Sequence, residues 1–381
     1  MIEDLFNIIN DIFINNELEA HHLYDNTIYE EIKIMILVIY TQINPVNTSD
    51  DVIIVEKEID KLLYQRQNMV KDPVYNESDL LYFESKIKYL EKIPQPEQRS
   101  EEWYIFRNNR LTASDFYSVI DNGSKSRRND LIMKKCGEEM PFLTNPAILH
   151  GVKFEDMAVK IYEKQNKVKV NEFGCLPHPI IPFFGASPDG IVSYESENKN
   201  YVGRMLEIKC PKSRKITGII PDGYFAQIQG QLEVCDLEYC DYLECDFQMY
   251  SSKEDFFKDD IREKGVIIEL YDTKLKKTLY NYATDDHIKS YDLFNQWEDS
   301  LVSKIYDNDD LEYLTTVYWY LNKLNVVLVK RDRDYFTKNY INIKNFWDEV
   351  LKYREIGIDS LRSLKKSKYK PYKEKELNFI D

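Results

Sequence analysis

Two stretches decide how this chain is read: Gly185-Ala186-Ser187-Pro188-Asp189-Gly190-Ile191-Val192, and Met205-Leu206-Glu207-Ile208-Lys209-Cys210-Pro211. Successive side chains in a β-strand point to opposite faces. In the second stretch Glu207 and Lys209 therefore share one face, while Leu206 and Ile208 turn towards a core. The apolar neighbours ask for a buried strand. Burying a carboxylate and an ammonium is costly unless they serve each other or a ligand. With Asp189 delivered beside them by a neighbouring strand, the cluster suits phosphodiester hydrolysis. Carboxylate oxygens hold Mg²⁺, whose shell is completed by water and phosphate. Paired ions activate the attacking water and stabilise the leaving oxygen. The lysine neutralises charge on the phosphate or orients the nucleophile.

Each half is weak by itself. Pro-Asp-Gly is an ordinary turn sequence, and Pro221-Asp222-Gly223 repeats it with no Glu-x-Lys strand behind it. A Glu-x-Lys pair on a strand is commonly a solvated ion pair. The two halves gain weight together, joined by a polar hairpin at Glu195 to Asn200.

Outward from this point the pattern is α/β. Residues 150–165 place Phe154, Met157, Ala158, Ile161 and Tyr162 on one helical stripe. From 168 to 210, short β-branched and aromatic runs punctuated by Gly and Pro mark a sheet. The spacing predicts a helix at 224–234 and a strand at 239–249. Further strands are expected at 265–271 and 324–330, with helices at 285–305 and 344–355. Upstream, Ser100 caps a helix reaching Asn108, and a second helix is expected near Thr112 to Ile120. A mixed sheet flanked by helices follows.

Residues 1–92 read as helical, with Leu5, Ile8, Ile9 and Ile12 at helical spacing and a turn-rich stretch from Asn44 to Asp51. Pro94 and Pro96 then stop any helix. The expected organisation is a helix-rich extension (1–92), a linker (93–99), a catalytic domain (100–355) and a basic tail (356–381).

The chain has 381 residues, 43% apolar and 31% charged, which places it among globular proteins. No apolar run approaches the roughly 18 residues of a membrane span. Met1-Ile2-Glu3-Asp4 lacks a signal peptide's basic start. An intracellular protein with no membrane partner is expected. The six cysteines include no C-x-x-C pair, so buried free thiols are expected and not a zinc ribbon. A net charge of −15 argues against a polyanionic partner until its distribution is seen. Basic clusters stand out at 124–135 (Lys125, Arg127, Arg128, Lys134, Lys135) and at 204–215 (Arg204, Lys209, Lys212, Arg214, Lys215). A third runs from Arg362 to Lys375, interleaved with Tyr369 and Tyr372. An acidic body with basic patches suits an enzyme that binds DNA and releases it.

The order of segments across roughly 95–250 resembles the lambda-exonuclease, or YqaJ-type viral recombinase, family of PD-(D/E)XK nucleases. The resemblance implies a restriction-endonuclease-like core and puts the catalytic Asp and Glu-x-Lys on Asp189, Glu207 and Lys209. It adds the Ile208 carbonyl as a metal ligand. The G-x-x-x-E at Gly151 to Glu155 makes Glu155 a metal or water ligand, although a first-turn glutamate is also simply favoured by the helix dipole. The Y-x-x-Q-x-Q of Tyr224, Gln227 and Gln229 makes Gln227 a site residue. In the same helix Tyr224, Gln227 and Gln231 form one polar stripe, which a solvent-facing surface would equally explain. The W-x-x-x-R-x-x-x-x-T-A-S element matches Trp103, Arg107, Thr112, Ala113 and Ser114. By resemblance Arg107 and Ser114 hold the 5′-terminal phosphate. A guanidinium forks onto phosphate oxygens, and a helix start adds N–H groups, though a plain N-cap also explains Ser114. Trp103 is expected in the core.

The resemblance further implies Mg²⁺ or Mn²⁺, two ions per site, and double-stranded DNA as substrate. It also implies a single-strand annealing protein as partner and a homo-oligomer as one assembly. The expected activity is a 5′ to 3′ exonuclease leaving 3′ single strands for viral recombination or replication, in the host cytoplasm or nucleus. The alternatives are an endonuclease or flap nuclease of the same fold, or a silent DNA-binding scaffold.

Overall fold

The computed structural model describes residues 1–16, 18, 23, 25–44, 48–67, 72–120, 125–138 and 146–368. Tyr369, Tyr372 and the rest of the basic tail's end lie outside them. Amphipathic spacing builds the first helices. α1 (Ile2–Asn15) turns Leu5, Ile8, Ile9, Ile12 and Phe13 to one side. α2 (Asn26–Ile43), capped by the Asp25 carboxylate accepting from the Thr27 and Ile28 N–H groups, and α3 (Ser49–Gln67) close over that stripe. One residue from far along the chain, Ile219, enters the same cluster. α4 (Glu77–Lys92) starts at an Asn76–Asp79 capping box and sends Phe83, Ile87 and Leu90 into the main core instead.

The two-proline segment after α4 runs pinned along the body. Gln95 Oε1 accepts from the Gly174 N–H at 2.6 Å, and Gln98 Nε2 donates to the Phe173 and Pro188 carbonyls at 2.8 and 3.3 Å. A Cβ on Gly174 would stand 2.0 Å from the Pro96 carbonyl oxygen, so backbone would have to move. Gly174→Ala is expected to cost about 1–3 kcal/mol, read as a lower urea midpoint. An unchanged midpoint would mean that this segment does not pack there in solution.

α5 (Glu101–Asn108) begins where Ser100 Oγ accepts from the Trp103 N–H at 3.1 Å, as the sequence suggests. The helix expected near 112–120 is instead composite. It comprises β1 (Leu111–Thr112), a 3₁₀ turn at Ala113–Asp115 and α6 (Tyr117–Ile120). The basic cluster forms a helix, α7 (Lys125–Lys135), and the long amphipathic helix is α8 (Pro146–Asn166). β2 (Val170–Asn171), β3 (Leu176–Pro177), β4 (Phe184–Ala186), β5 (Gly190–Val192) and β6 (Met205–Lys209) follow, then α9 (Asp222–Cys235) and β7 (Tyr239–Met249). The remainder is α10 (Lys253–Lys258), β8 (Lys264–Asp272), β9 (Lys277–Tyr282), α11 (Tyr291–Tyr306), β10 (Leu311–Lys330), α12 (Arg333–Ile356) and α13 (Asp359–Lys368).

Among the described residues the strands form a small sheet, β1-β4-β3, and a seven-stranded sheet, β2-β5-β6-β7-β10-β8-β9. β6 and β7 are parallel, with α9 as their crossover, and the other pairs of the large sheet are antiparallel. The mixed α/β class expected from the sequence is therefore the class observed. The 324–330 strand is the end of a 20-residue strand. Register shifts at Tyr313/Thr315 and Leu321/Lys323 break its alternation and hide its length from a period-two search.

β6 separates two cores. Met205 joins the cluster built with α9, while Leu206 and Ile208 join Phe154, Met157 and Ile161 of α8 on the other side. Strand alternation then places Glu207 and Lys209 on the Met205 face, towards α9. The site is set by that choice.

Candidate active site

β5 and β6 run antiparallel with Gly190 opposite Leu206. One further residue of the same register sets Asp189 across from Glu207. Asp189 Oδ2 accepts the Ile208 N–H at 2.6 Å, so the strand's own backbone fixes the carboxylate. Its Oδ1 accepts no hydrogen bond among the described residues. Glu207 is fully buried. Lys209 bonds its Oε1, and Gln231 Nε2 of α9 donates to its Oε2 at 2.8 Å. The Lys209 ammonium also lies 4.8 Å from the Tyr224 ring centroid. Glu155 of α8 pairs with Arg99 at 2.8 Å.

The electrostatics follow from burial and crowding. Desolvation, then the charges of Glu207 and Glu155, push the Asp189 carboxyl well above the usual carboxylate range, against the pull of Lys209 and the Ile208 N–H. Burial raises Glu155 as well, opposed by Arg99. Burial works to discharge Lys209, but Glu207 and Asp189 outweigh it and hold the ammonium above its ordinary value. Three carboxylates therefore crowd together with Lys209 among them and Arg99 on Glu155, and their mutual repulsion still raises Asp189.

Among the described residues no three acidic, histidine or cysteine side chains already converge on one point. Magnesium does not need that, because it retains several waters and takes one or two carboxylates. Asp189, with a free oxygen, and Glu207 give a donor set of hard oxygens that fits such an ion. The Glu155 carboxylate adds its negative charge to Asp189 from the α8 side.

A second constellation adjoins the first. Arg107 Nη1 donates to Ser187 Oγ at 3.2 Å and Nη2 to Ser114 Oγ at 2.9 Å, with its guanidinium 4.3 Å over the Trp103 ring. Trp103 Nε1 also donates to Ser187 Oγ, at 3.2 Å. Trp103 is thus a half-buried wall of this pocket, not the core residue expected. Ser114 spends its hydroxyl on Arg107 and Thr112, so an N-cap does not describe it. Beneath lies Lys135, 2% exposed, which donates to the Arg107 carbonyl at 2.9 Å and pairs with Asp115 at 3.0 Å. Burial alone would raise Asp115, but Lys135 and Lys134 hold it down to about 2.

Residues 102–238 match the model of the YqaJ-like viral recombinase domain, a span containing every residue of both constellations except Arg99. This segment is similar to that family. An uncharacterized protein of Acanthamoeba polyphaga mimivirus is 34% identical over 316 residues, 74% of this chain and 57% of that protein. The chain thus spans little more than half the length of this curated relative. Among solved structures, the alkaline exonuclease LHK-Exo of Laribacter hongkongensis, in complex with dAMP, aligns at 20% identity and TM-score 0.41. That alignment covers 71% of this chain and all of the other. A phage-related exonuclease of Haemophilus somnus 129PT aligns at 11% identity and TM-score 0.37, over 66% and 96% of the two chains. The matched segment carries an Asp beside one strand and Glu-x-Lys on the antiparallel neighbour, in a helix-flanked mixed sheet.

Within the matched segment, Asp189, Glu207, Ile208 and Lys209 come together, and Arg107 and Ser114 meet in the adjoining pocket. Gln227 is half-buried and makes no side-chain hydrogen bond among the described residues, whereas Gln231, one turn on, reaches Glu207. Gln229 faces away, bonded to the Lys330 carbonyl and the Asp332 N–H. Three site residues escaped the sequence: Ser187, Gln231 and Lys135. Ser187 stood inside the quoted stretch, and Gln231 stood in the polar stripe of α9. Lys135 carried no signal beyond membership of a basic run.

Proposed function

We propose that this chain is a metal-dependent exonuclease that degrades double-stranded DNA from 5′-phosphorylated ends and leaves 3′ single strands. The observation that carries the proposal is the coupling of two sites through one tripeptide. Ser187 bonds the Arg107 pocket, and Asp189, two residues on, belongs to the carboxylate cluster. Gln231 ties them again, donating to both the Ser187 carbonyl and Glu207. An enzyme that must hold a terminal phosphate at a fixed distance from the bond it cuts needs such a rigid link.

In this assignment Asp189, Glu207, the Ile208 carbonyl and Glu155 hold Mg²⁺ or Mn²⁺, two ions when fully loaded. Bound there, the metal lowers the pKa of its water and offsets charge on the leaving oxygen. Lys209, kept protonated by Glu207 and Asp189, faces the scissile phosphate and steadies its charge. Gln231 fixes Glu207, and Gln227 stands ready on the same helix for water or substrate. Arg107, Ser114 and Ser187 take the 5′-phosphate through charge-assisted hydrogen bonds. The rest of the assignment is a nuclease domain over 100–355, a helical extension over 1–92 joined by 93–99, and a basic tail. A viral replication site in the host cytoplasm fits the mimivirus relative, with a single-strand annealing protein as partner and self-assembly around DNA. Among the described residues no helix is long and apolar enough to cross a membrane.

The test offers linear duplexes with and without 5′-phosphates, and a closed circle, in Mg²⁺ and in EDTA. Loss of the phosphorylated linear duplex in Mg²⁺ alone is expected. Cutting of the circle would make the protein an endonuclease, and inertness on all three would leave a DNA-binding scaffold.

A further inference from the structure

Arg214 follows β6 by five residues and is unused in the site described above. Its Nη2 bonds Glu244 Oε1. Glu244 lies opposite Lys209 in the parallel β6–β7 register, so its side chain shares the face of Lys209 and Glu207. It is fully buried, accepts from the Tyr242 hydroxyl at 2.9 Å, and leaves Oε2 buried without a partner among the described residues. Arg214 is its one ion-pair partner among the described residues. An arginine retained only to neutralise that carboxylate would be expected to sink in beside it and satisfy both oxygens. Arg214 does neither. Its side chain is 36% exposed, and its Nε and Nη1 donate to no acceptor among the described residues.

The position of this free edge is what matters. The Arg214 guanidinium lies over the Tyr224 ring, 5.9 Å from the centroid, and the same ring stands 4.8 Å from the Lys209 ammonium. Two cations thus share one aromatic ring, the first belonging to the catalytic cluster and the second partly exposed. The loop that presents Arg214 is held rigidly. Gly218 adopts a φ of +85° against the Phe6 ring of α1, and Ile219 is buried in the N-terminal helical cluster. Lys215 pairs with Glu3, Lys61 of α3 pairs with Asp222 at 2.9 Å, and Lys323 donates to the Ile216 carbonyl at 2.8 Å.

We propose that Arg214 is a further substrate-binding residue, gripping a phosphodiester oxygen of the DNA strand next to the phosphate at Lys209. Glu244 is the anchor that sets its guanidinium, and the N-terminal helices clamp its loop. A fork with one edge tied to a carboxylate and the other free is suited to a second oxyanion. The assignment rests on the nuclease reading and deepens it.

The experiment measures anisotropy of a fluorescein-labelled 5′-phosphorylated duplex with Ca²⁺ in place of Mg²⁺, across a salt series, with thermal melting alongside. Arg214→Ala is expected to weaken binding about tenfold and to reduce the slope of log affinity against log salt by about one. Arg214→Lys restores the slope but not the affinity, and Glu244→Gln weakens binding with Arg214 still present. Lys344→Ala, on a surface ion pair of α12, changes neither quantity. Wild-type affinity and slope in Arg214→Ala would overturn the assignment. Lower stability in that variant, recovered in the Arg214→Ala/Glu244→Gln double variant, would then leave Arg214 a counter-ion only. If Arg214→Ala does not fold, Arg214→Lys decides, since it keeps Glu244 neutralised: wild-type affinity there overturns the proposal. Cleavage by the wild-type protein in Mg²⁺ is scored separately. Its absence sinks the nuclease reading, and its presence with an unaffected Arg214→Ala sinks only the role of Arg214.

Discussion

Asp189→Asn is expected to slow cleavage of linear duplex DNA by on the order of a thousandfold while the protein stays folded and, in EDTA, melts higher than the wild type. The two effects share one cause. Asp189 is half-buried and faces Glu207 across the β5–β6 pair; desolvation, then the charges of Glu207 and Glu155, drive its carboxyl upward. Asparagine retains an oxygen for the Ile208 N–H and removes the charge, so the native state loses an unfavourable interaction. Divalent metal should act in the opposite sense. Mg²⁺ bound as proposed should raise the melting temperature of the wild type by linkage, and Asp189→Asn should shift little. Calorimetry with and without Mg²⁺ reads this independently of activity. A variant that still shows the full Mg²⁺ shift would remove Asp189 from the metal site, and one that still cuts DNA would remove it from the chemistry.

The same physics explains why this part of the site was readable from sequence. Leu206 and Ile208 had to be buried, strand geometry then forced Glu207 inward, and a buried carboxylate beside a lysine asks for a purpose. Period-two alternation is local, so no fold was needed to see it. Ser187 and Gln231 depend on which helix lies over which strand. The Gln231 amide lies near Glu207 only because α9 crosses the Met205 face of β6. The stripe of Tyr224, Gln227 and Gln231 was visible, but choosing its site-facing member required the crossover. Lys135 was hidden for a related reason. In a run of basic residues nothing local distinguishes a solvated lysine from one packed under Arg107 with Asp115 as counter-ion.

The N-terminal helices were the least readable. Their amphipathic spacing gave helices but not their destination, which depends on Phe6, Glu3 and Lys61 meeting the 215–222 loop. Those contacts join residues roughly 160 to 210 positions apart, and no local pattern encodes them. The bulged β10 failed differently: its length was present in the sequence, but extra residues at two register shifts interrupted the alternation by which strands are recognised.

Arg107→Ala should erase the preference for 5′-phosphorylated over unphosphorylated ends, a loss of about tenfold to a hundredfold in kcat/KM on the phosphorylated duplex. On unphosphorylated ends the rate should barely change, and that contrast separates recognition from chemistry. Arg107 touches none of the carboxylates. It bonds Ser114 and Ser187, stacks on Trp103, and its carbonyl rests on the buried Lys135. Its side chain is therefore preorganised, and little rotamer freedom remains to be lost when a phosphate arrives. Arg107→Lys should recover only part of the preference, because an ammonium cannot bond Ser114, Ser187 and the phosphate in one plane. Ser114→Ala should cost less, a few-fold, since it removes one neutral donor and leaves the guanidinium in place. Equal losses on both kinds of end would instead mean that Arg107 works through Ser187 on the position of Asp189. The pocket would then be a support for the catalytic strand and not a reader of DNA ends.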